Sequence, residues 1–154
     1  MRMSNESNLS ATAPIKLFLV DDDVIFLKLL EIEFISLADF NFSIETFSTG
    51  EACIENLSHN PDVIVLDYFL DGIDKNAMNG IDTLDKILAI NPNIPVIMLS
   101  GQDKIEVAVR CMHHQAFDYV VKSETAFIRL QKIIPTIFKY KKMEMELNWY
   151  MNKM

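Results

Sequence analysis

A doubly wound α/β domain is the fold class the sequence predicts, on three observations. Five short apolar runs recur along the chain, segments of about ten residues with helical spacing separate them, and acids or other polar residues stand directly after most of the runs. Short apolar runs suit strands covered on both faces. Strands alternating with helices require right-handed crossovers, which make the sheet parallel and put helices on both of its faces. The length agrees, since 154 residues with 50% hydrophobic content allow one core with modest extensions.

The elements follow in order. Residues 1–14 (MRMSNESNLSATAP) hold almost no bulky apolar side chains and cannot offset the entropy of ordering, so a flexible leader is expected. IKLFLV at 15–20 is the first strand, ending on Asp21, Asp22 and Asp23, and Leu27, Leu30, Ile32 and Phe34 then recur at helical spacing. FSIETF at 42–47 alternates as a strand does. Ser48, with Glu51 three residues on, forms a capping-box pattern for a helix carrying Ala52, Ile54 and Leu57. VIVL at 63–66 is the third strand, 81–90 is a helix, and VIML at 96–99 is the fourth strand, set off by Asn91-Pro92-Asn93 and Pro95. Residues 104–114 and FDYVV at 117–121 supply a fourth helix and fifth strand. Ser123 can cap a long last helix with Phe127, Leu130, Ile134, Ile137 and Phe138 on related faces, which Pro135 should kink or divide. Residues 139–154 read as a helical extension whose Met143, Met145, Trp149, Tyr150, Met151 and Met154 suit partner binding or dimerisation as well as a frayed end, though its apolar positions do not sustain the three heptads of a regular coiled coil.

Composition removes several function classes. The net charge of −8 disfavours a surface that coats nucleic acid, and because residues 139–154 carry four Lys against two Glu, the acidity belongs to the domain. Cys53 and Cys111 lie far apart without ligand-spaced His or Cys, so buried, reduced thiols are expected rather than a disulfide or a zinc site. The sequence has neither an apolar run long enough for a membrane span nor a signal-peptide core, so a cytoplasmic location is inferred. His113 and His114 are adjacent on a helix and point in different directions, which favours polar surface over a shared site.

In an open parallel sheet, ligands sit beyond the carboxyl ends of the strands. The residues just past those ends are Asp21 and Asp22, Asp67, Ser100 and Lys122. Three carboxylates brought together repel one another unless a cation compensates, and hard oxygen ligands suit Mg²⁺ or Mn²⁺.

LFLVDDD, VIVLDYFLDG, VIMLSGQD and DYVVKS, in that order over residues 15–138, resemble the four motif regions of the response-regulator receiver family of two-component signalling. The resemblance implies a flavodoxin-like receiver fold and a phosphoacceptor at Asp67 that takes a phosphoryl group from a histidine kinase or phosphotransfer protein. It implies metal ligation by Asp22 directly, by Asp21 largely through water, by Asp67, and by the backbone carbonyl of Phe69. Lys122 would supply positive charge. Ser100 and Tyr119 would form the switch that rearranges the surface around the fourth helix, fifth strand and fifth helix to control a downstream protein. Phe69 and Gln102 occupy the two positions that tune autodephosphorylation, and because a Phe side chain cannot hydrogen-bond an attacking water, a long-lived phosphoryl state is expected.

The chain departs from the family pattern in two places. Asp71 stands near a usual Pro, and the matching Gly80 lies thirteen residues past Asp67, which lengthens the loop by about five residues. Asp71 and Asp74 in that loop read as solvated rather than as ligands. Lys122 is followed by Ser123 instead of a cis Pro, and a non-proline cis bond costs about 2.5–4 kcal/mol, so this bond is either trans or cis under strain. No separate output domain fits in what remains; the alternative is the N-terminal receiver of a longer regulator. A Mg²⁺-dependent phosphatase with an aspartyl nucleophile would need an Asp where Phe69 stands. A flavodoxin-like cofactor binder would need a phosphate loop where the acids are.

Overall fold

The computed structural model describes residues 14–72 and 74–153 of the chain; the expected leader, apart from Pro14, lies outside them. Among the described residues one parallel sheet holds β1 (Ile15–Val20), β2 (Phe42–Phe47), β3 (Val63–Asp67), β4 (Val96–Ser100) and β5 (Asp118–Val121), in the order β2-β1-β3-β4-β5. The order reverses between β1 and β3, so the loops leaving those two strands diverge and open a crevice at their carboxyl ends.

Alternation along each strand divides the core in two. Leu17, Leu19, Val63, Val65, Ile97, Leu99 and Val120 face α1 (Val24–Ile35) and α5 (Ala126–Lys153), where Leu27, Leu30, Phe34, Leu130, Ile134 and Ile137 meet them. Phe18, Val20, Ile64, Leu66 and Met98 face the other way, onto a layer made by α2 (Gly50–Glu55), α3 (Gly80–Ile90) and α4 (Ile105–His113). Cys53 and Cys111 are buried there as free thiols.

Four local expectations need correction. The N-cap of α2 is Thr49, not Ser48: its hydroxyl accepts from the Ala52 N–H at 3.1 Å, while Glu51 turns away to accept from the Met78 N–H at 3.0 Å and ties down the long β3–α3 loop. Leu57 is not in that helix, which stops at Asn56 and tightens into a 3₁₀ turn over Leu57–His59, closed by Asn60 in the left-handed region. Ile32 is exposed although Leu27, Leu30 and Phe34 are buried; VIFLKLLEIEFI is apolar on every side, so periodicity alone does not select its inner face. Pro135 leaves α5 undivided; Thr136 donates its hydroxyl to the Lys132 carbonyl at 2.9 Å one position past the missing N–H.

Candidate functional site

The carboxyl ends of β1, β3, β4 and β5 bring the sequence-selected residues together. Asp21 and Asp67 are 1% and 3% exposed, Asp22 is half-buried, and one carboxylate oxygen from each lies within 4.8 Å of the others. The two buried carboxylates are each held by the backbone next to them. Asp21 Oδ1 accepts from the Asp23 N–H at 2.9 Å, and Asp67 Oδ1 accepts from the Phe69 N–H at 3.3 Å. Asp23 itself caps α1 by accepting from the Ile25 and Phe26 N–H groups, so the third acid of the triplet starts the helix and stays out of the cluster.

Lys122 reaches into the cluster from the end of β5. Its Nζ lies 2.6 Å from Asp21 Oδ2, 3.2 Å from Asp67 Oδ1 and 4.7 Å from the centre of the Phe26 ring. Burial pulls this ammonium toward deprotonation, but the Asp21 and Asp67 carboxylates outweigh it and hold its pKa above the ordinary lysine value. The contact with Asp21 Oδ2 is the shortest of these, so that buried carboxylate oxygen has the Lys122 ammonium as its charged partner. Burial, then the Asp21 charge, push the Asp67 carboxyl up to about 7 against the pull of Lys122 and of the Phe69 N–H. One ammonium against three acids leaves net negative charge. The donor set is all hard oxygen, with three carboxylate atoms within 4.8 Å of one another, so Asp21, Asp22 and Asp67 fit a divalent cation.

Ser100 is fully buried at the end of β4, and its Oγ accepts from the Gln102 N–H at 3.1 Å. The Lys122 N–H donates to the Ser100 carbonyl at 2.7 Å, and no cis peptide bond occurs among the described residues, so Lys122 reaches the acids across a trans bond to Ser123. The Tyr119 hydroxyl is turned inward and donates to the Gln102 carbonyl; burial, the largest influence, raises its pKa. Gln102 thus engages Ser100 and Tyr119 through its backbone. Phe69 is 42% exposed and packs edge-on against Tyr68.

The inserted loop folds back on the cluster. A Cβ added at Gly72 would lie 3.2 Å from Asp22 Oδ2, and one at Gly80 would lie 2.4 Å from the Asp67 carbonyl oxygen, so α3 approaches the end of β3 at a distance only glycine permits. Asp74 is exposed and accepts from the Asn76 N–H within its own turn, outside the carboxylate cluster, and Asp71 is outside it too. His113 is exposed, but His114 is half-buried and pairs with Asp85 at 2.7 Å, which adjacency in the sequence did not signal. Phe26 beneath Lys122 was also missed; only its place one turn past the acids could have suggested it.

The sequence pattern described as response regulator receiver domain matches residues 17–134. The chain is 32% identical over 119 residues to a protein-glutamate methylesterase/protein-glutamine glutaminase of Clostridium acetobutylicum, covering 73% of this chain and 32% of that protein. It is 29% identical over 108 residues to the transcriptional regulatory protein ZraR of Escherichia coli, covering 70% of this chain and 23% of that one. It therefore spans about a third or less of the length of these relatives. Among solved structures, the signal receiver domain of a putative Luxo repressor protein from Vibrio parahaemolyticus superposes with a TM-score of 0.74 at 24% identity over 88% of this chain and 98% of that one. The receiver domain of NtrX from Brucella abortus gives 0.68 at 25% identity over 80% and 98%. Among the described residues no helix is long and apolar enough to cross a membrane.

Proposed function

From the chain's membership of the response regulator receiver family, we propose that it is a phosphorylation-controlled switch in which Asp67 accepts a phosphoryl group from the phosphohistidine of a kinase or phosphotransfer protein. The single observation that carries this reading is the buried Asp67 carboxylate flanked by Lys122 at 3.2 Å and by Asp21 and Asp22. In the transfer, an Asp67 carboxylate oxygen forms a bond to phosphorus as the donor's N–P bond breaks, and the leaving imidazole takes up a proton. A magnesium ion held by Asp21, Asp22, Asp67 and the Phe69 backbone carbonyl would supply charge neutralisation for the phosphoryl oxygens. Lys122 adds a fixed positive charge on the same side. Ser100 lies one strand over with a hydroxyl able to donate to a phosphoryl oxygen; doing so would pull on the Gln102 backbone that Tyr119 also holds. This gives a route from Asp67 to the face formed by α4, β5 and α5, where a downstream protein would read the state. We take 15–138 as the receiver and 139–154 as its helical extension, and the chain as a switch rather than an enzyme acting on a separate substrate.

Incubation with Mg²⁺ and acetyl phosphate, followed by intact mass, tests the acceptor. Wild type should gain about 80 Da as one acid-labile phosphoryl group, and Asp67→Asn should gain none. An adduct that persists in the variant would remove the assignment. Decay of the adduct after donor removal should take minutes or longer, because Phe69 offers no hydrogen bond to an incoming water; loss within seconds contradicts that part.

The exposed apolar face of α1 supports a docking surface for the donor. Val24, Ile25, Leu29, Ile32 and Ile35 are all exposed on a helix whose cap directly follows Asp21 and Asp22, a surface suited to the helical body of a phosphohistidine protein. Leu29→Arg is expected to slow transfer at least tenfold from whichever of a panel of phosphorylated kinase cores labels wild type fastest. Labelling by acetyl phosphate, which needs no docking, should be unchanged.

A further inference from the structure

The last turns of α5 carry large apolar side chains that the domain does not use. Beyond Phe138 no described residue of the helix is buried, and Tyr140, Met143, Met145, Leu147, Trp149, Tyr150 and Met151 are all exposed. The face turned to the domain is fixed by buried Ile134 and Ile137 and by Lys141, whose ammonium donates to the Asp62 carbonyl at 3.0 Å. Met143, Leu147 and Tyr150 lie on a different side, and Tyr140 continues their row at its border with the domain, where it also lines a groove with Pro61 and Phe117; the four stand at intervals of three, four and three. That is the spacing of alternating a and d positions in a two-stranded coiled coil. A second stripe, Phe138, Lys142, Met145 and Trp149, is interrupted by a charge, and Lys153 lies over its Trp149 ring at 4.2 Å. The first stripe is uninterrupted and lines a shallow groove with Glu144 and Glu146 at its margins.

We propose that this stripe pairs with the same stripe of a second copy of the chain in a parallel, in-register helical dimer. The charges select the partner and its direction. With Tyr140 and Leu147 at a, Lys139 and Glu146 fall at g and Glu144 at e. A parallel pair sets Lys139 of each chain against Glu144 of the other, twice by symmetry. The antiparallel pair that also matches the apolar residues, Tyr140 to Tyr150 and Met143 to Leu147, sets Glu144 against Glu144, Glu146 against Glu146 and Lys139 against Lys153. Two heptads bury less than the roughly 1,200 Å² of a standard stable interface, so the dimer is weak and concentration-dependent.

Sedimentation of the full chain from micromolar to millimolar concentration tests this. Wild type should pass from monomer to dimer. Leu147→Glu should raise the dissociation constant at least tenfold with no change in the unfolding midpoint, since Leu147 touches nothing in the core, and Met145→Glu on the other stripe should leave it unchanged. Lys139→Glu should weaken the dimer and Lys139→Glu with Glu144→Lys should restore it. A monomer throughout, a dimer indifferent to Leu147→Glu, or one tightened by Lys139→Glu, as the antiparallel pair requires, would each overturn the proposal. None of these outcomes bears on phosphoryl acceptance at Asp67.

Discussion

Replacing Asp67 with Asn should make the metal-free protein more stable at about pH 8, by on the order of 2–4 kcal/mol. The cause is the environment that prepares the carboxylate for chemistry. Burial and the neighbouring Asp21 charge lift Asp67 to about 7, whereas an unfolded chain would hold it near 3.9. Between those values the folded state keeps a proton that the unfolded state has released. The group's favourable contribution is thus fully present below the unfolded value and is lost as pH rises through about 7. Above that, both states are ionised and the folded state carries a buried carboxylate that the Lys122 ammonium, shared with Asp21, compensates only in part. Asn has nearly the same shape without the charge, so its advantage should be largest at about pH 8, fall to on the order of 1–2 kcal/mol at about pH 5, and vanish only below the unfolded value.

A divalent cation should reverse part of this ranking. It binds the folded carboxylates and stabilises wild type by mass action, more at about pH 8 than at about pH 6, where a proton on Asp67 competes with it. Urea unfolding of both proteins at the two pH values, in chelator and in Mg²⁺, checks all four corners. Equal midpoints in chelator at about pH 8 would show that Asp67 is not under electrostatic strain.

Asp67 was legible because chemistry and topology coincide there. A run of apolar residues ending in Asp announces both a buried strand and a polar group at its carboxyl end, and two such ends, with Ser100 and Lys122 at the ends of two further strands, specify one crevice. Lys122 and Ser100 were found by the same logic, whereas Tyr119, inside β5, came only from the family resemblance. What escaped reading depended on choices that one-dimensional patterns leave open. Ser48 and Thr49 are both good caps, and the choice is made by Glu51, which is drawn to Met78 across a loop that no periodicity describes. In α1, apolar residues on every side hide which face is inner, so the exposed Ile25, Leu29 and Ile32 became visible only in three dimensions. The bond after Lys122 could have been cis or trans on sequence grounds. The trans form still delivers the ammonium to 2.6 Å from Asp21, so the family's usual proline is not needed for that reach.

Removing that ammonium is the second change with a large expected effect. Lys122→Met keeps the length and apolar stem of the side chain, and with it the packing on Phe26, but leaves Asp21 and Asp67 buried with no cation between them. Breaking a buried ion pair by deleting one partner costs about 3–5 kcal/mol. Here part of that is recovered, because the Lys122 side chain is 22% exposed and Asp67 can take a proton. A loss of about 2–4 kcal/mol is therefore expected at about pH 8 in chelator, and less at about pH 5. With the Lys122 charge gone, Asp67 should be lifted further above about 7, so the window over which stability falls moves to higher pH. Mg²⁺ should recover much of the stability, since its charge takes the place of the ammonium among the same oxygens. Recovery of fold without recovery of function is the informative combination. The Mg²⁺-loaded variant should fold like wild type, yet the link from a phosphorylated Asp67 to Ser100 and the Tyr119 face should weaken, because Lys122 is tied to Ser100 through the backbone at 2.7 Å and to Asp67 through its side chain. Chemical shifts of Tyr119 and α4 before and after acetyl phosphate would measure this. Shifts in the variant as large as in wild type would show that Lys122 serves the stability of the acid cluster alone.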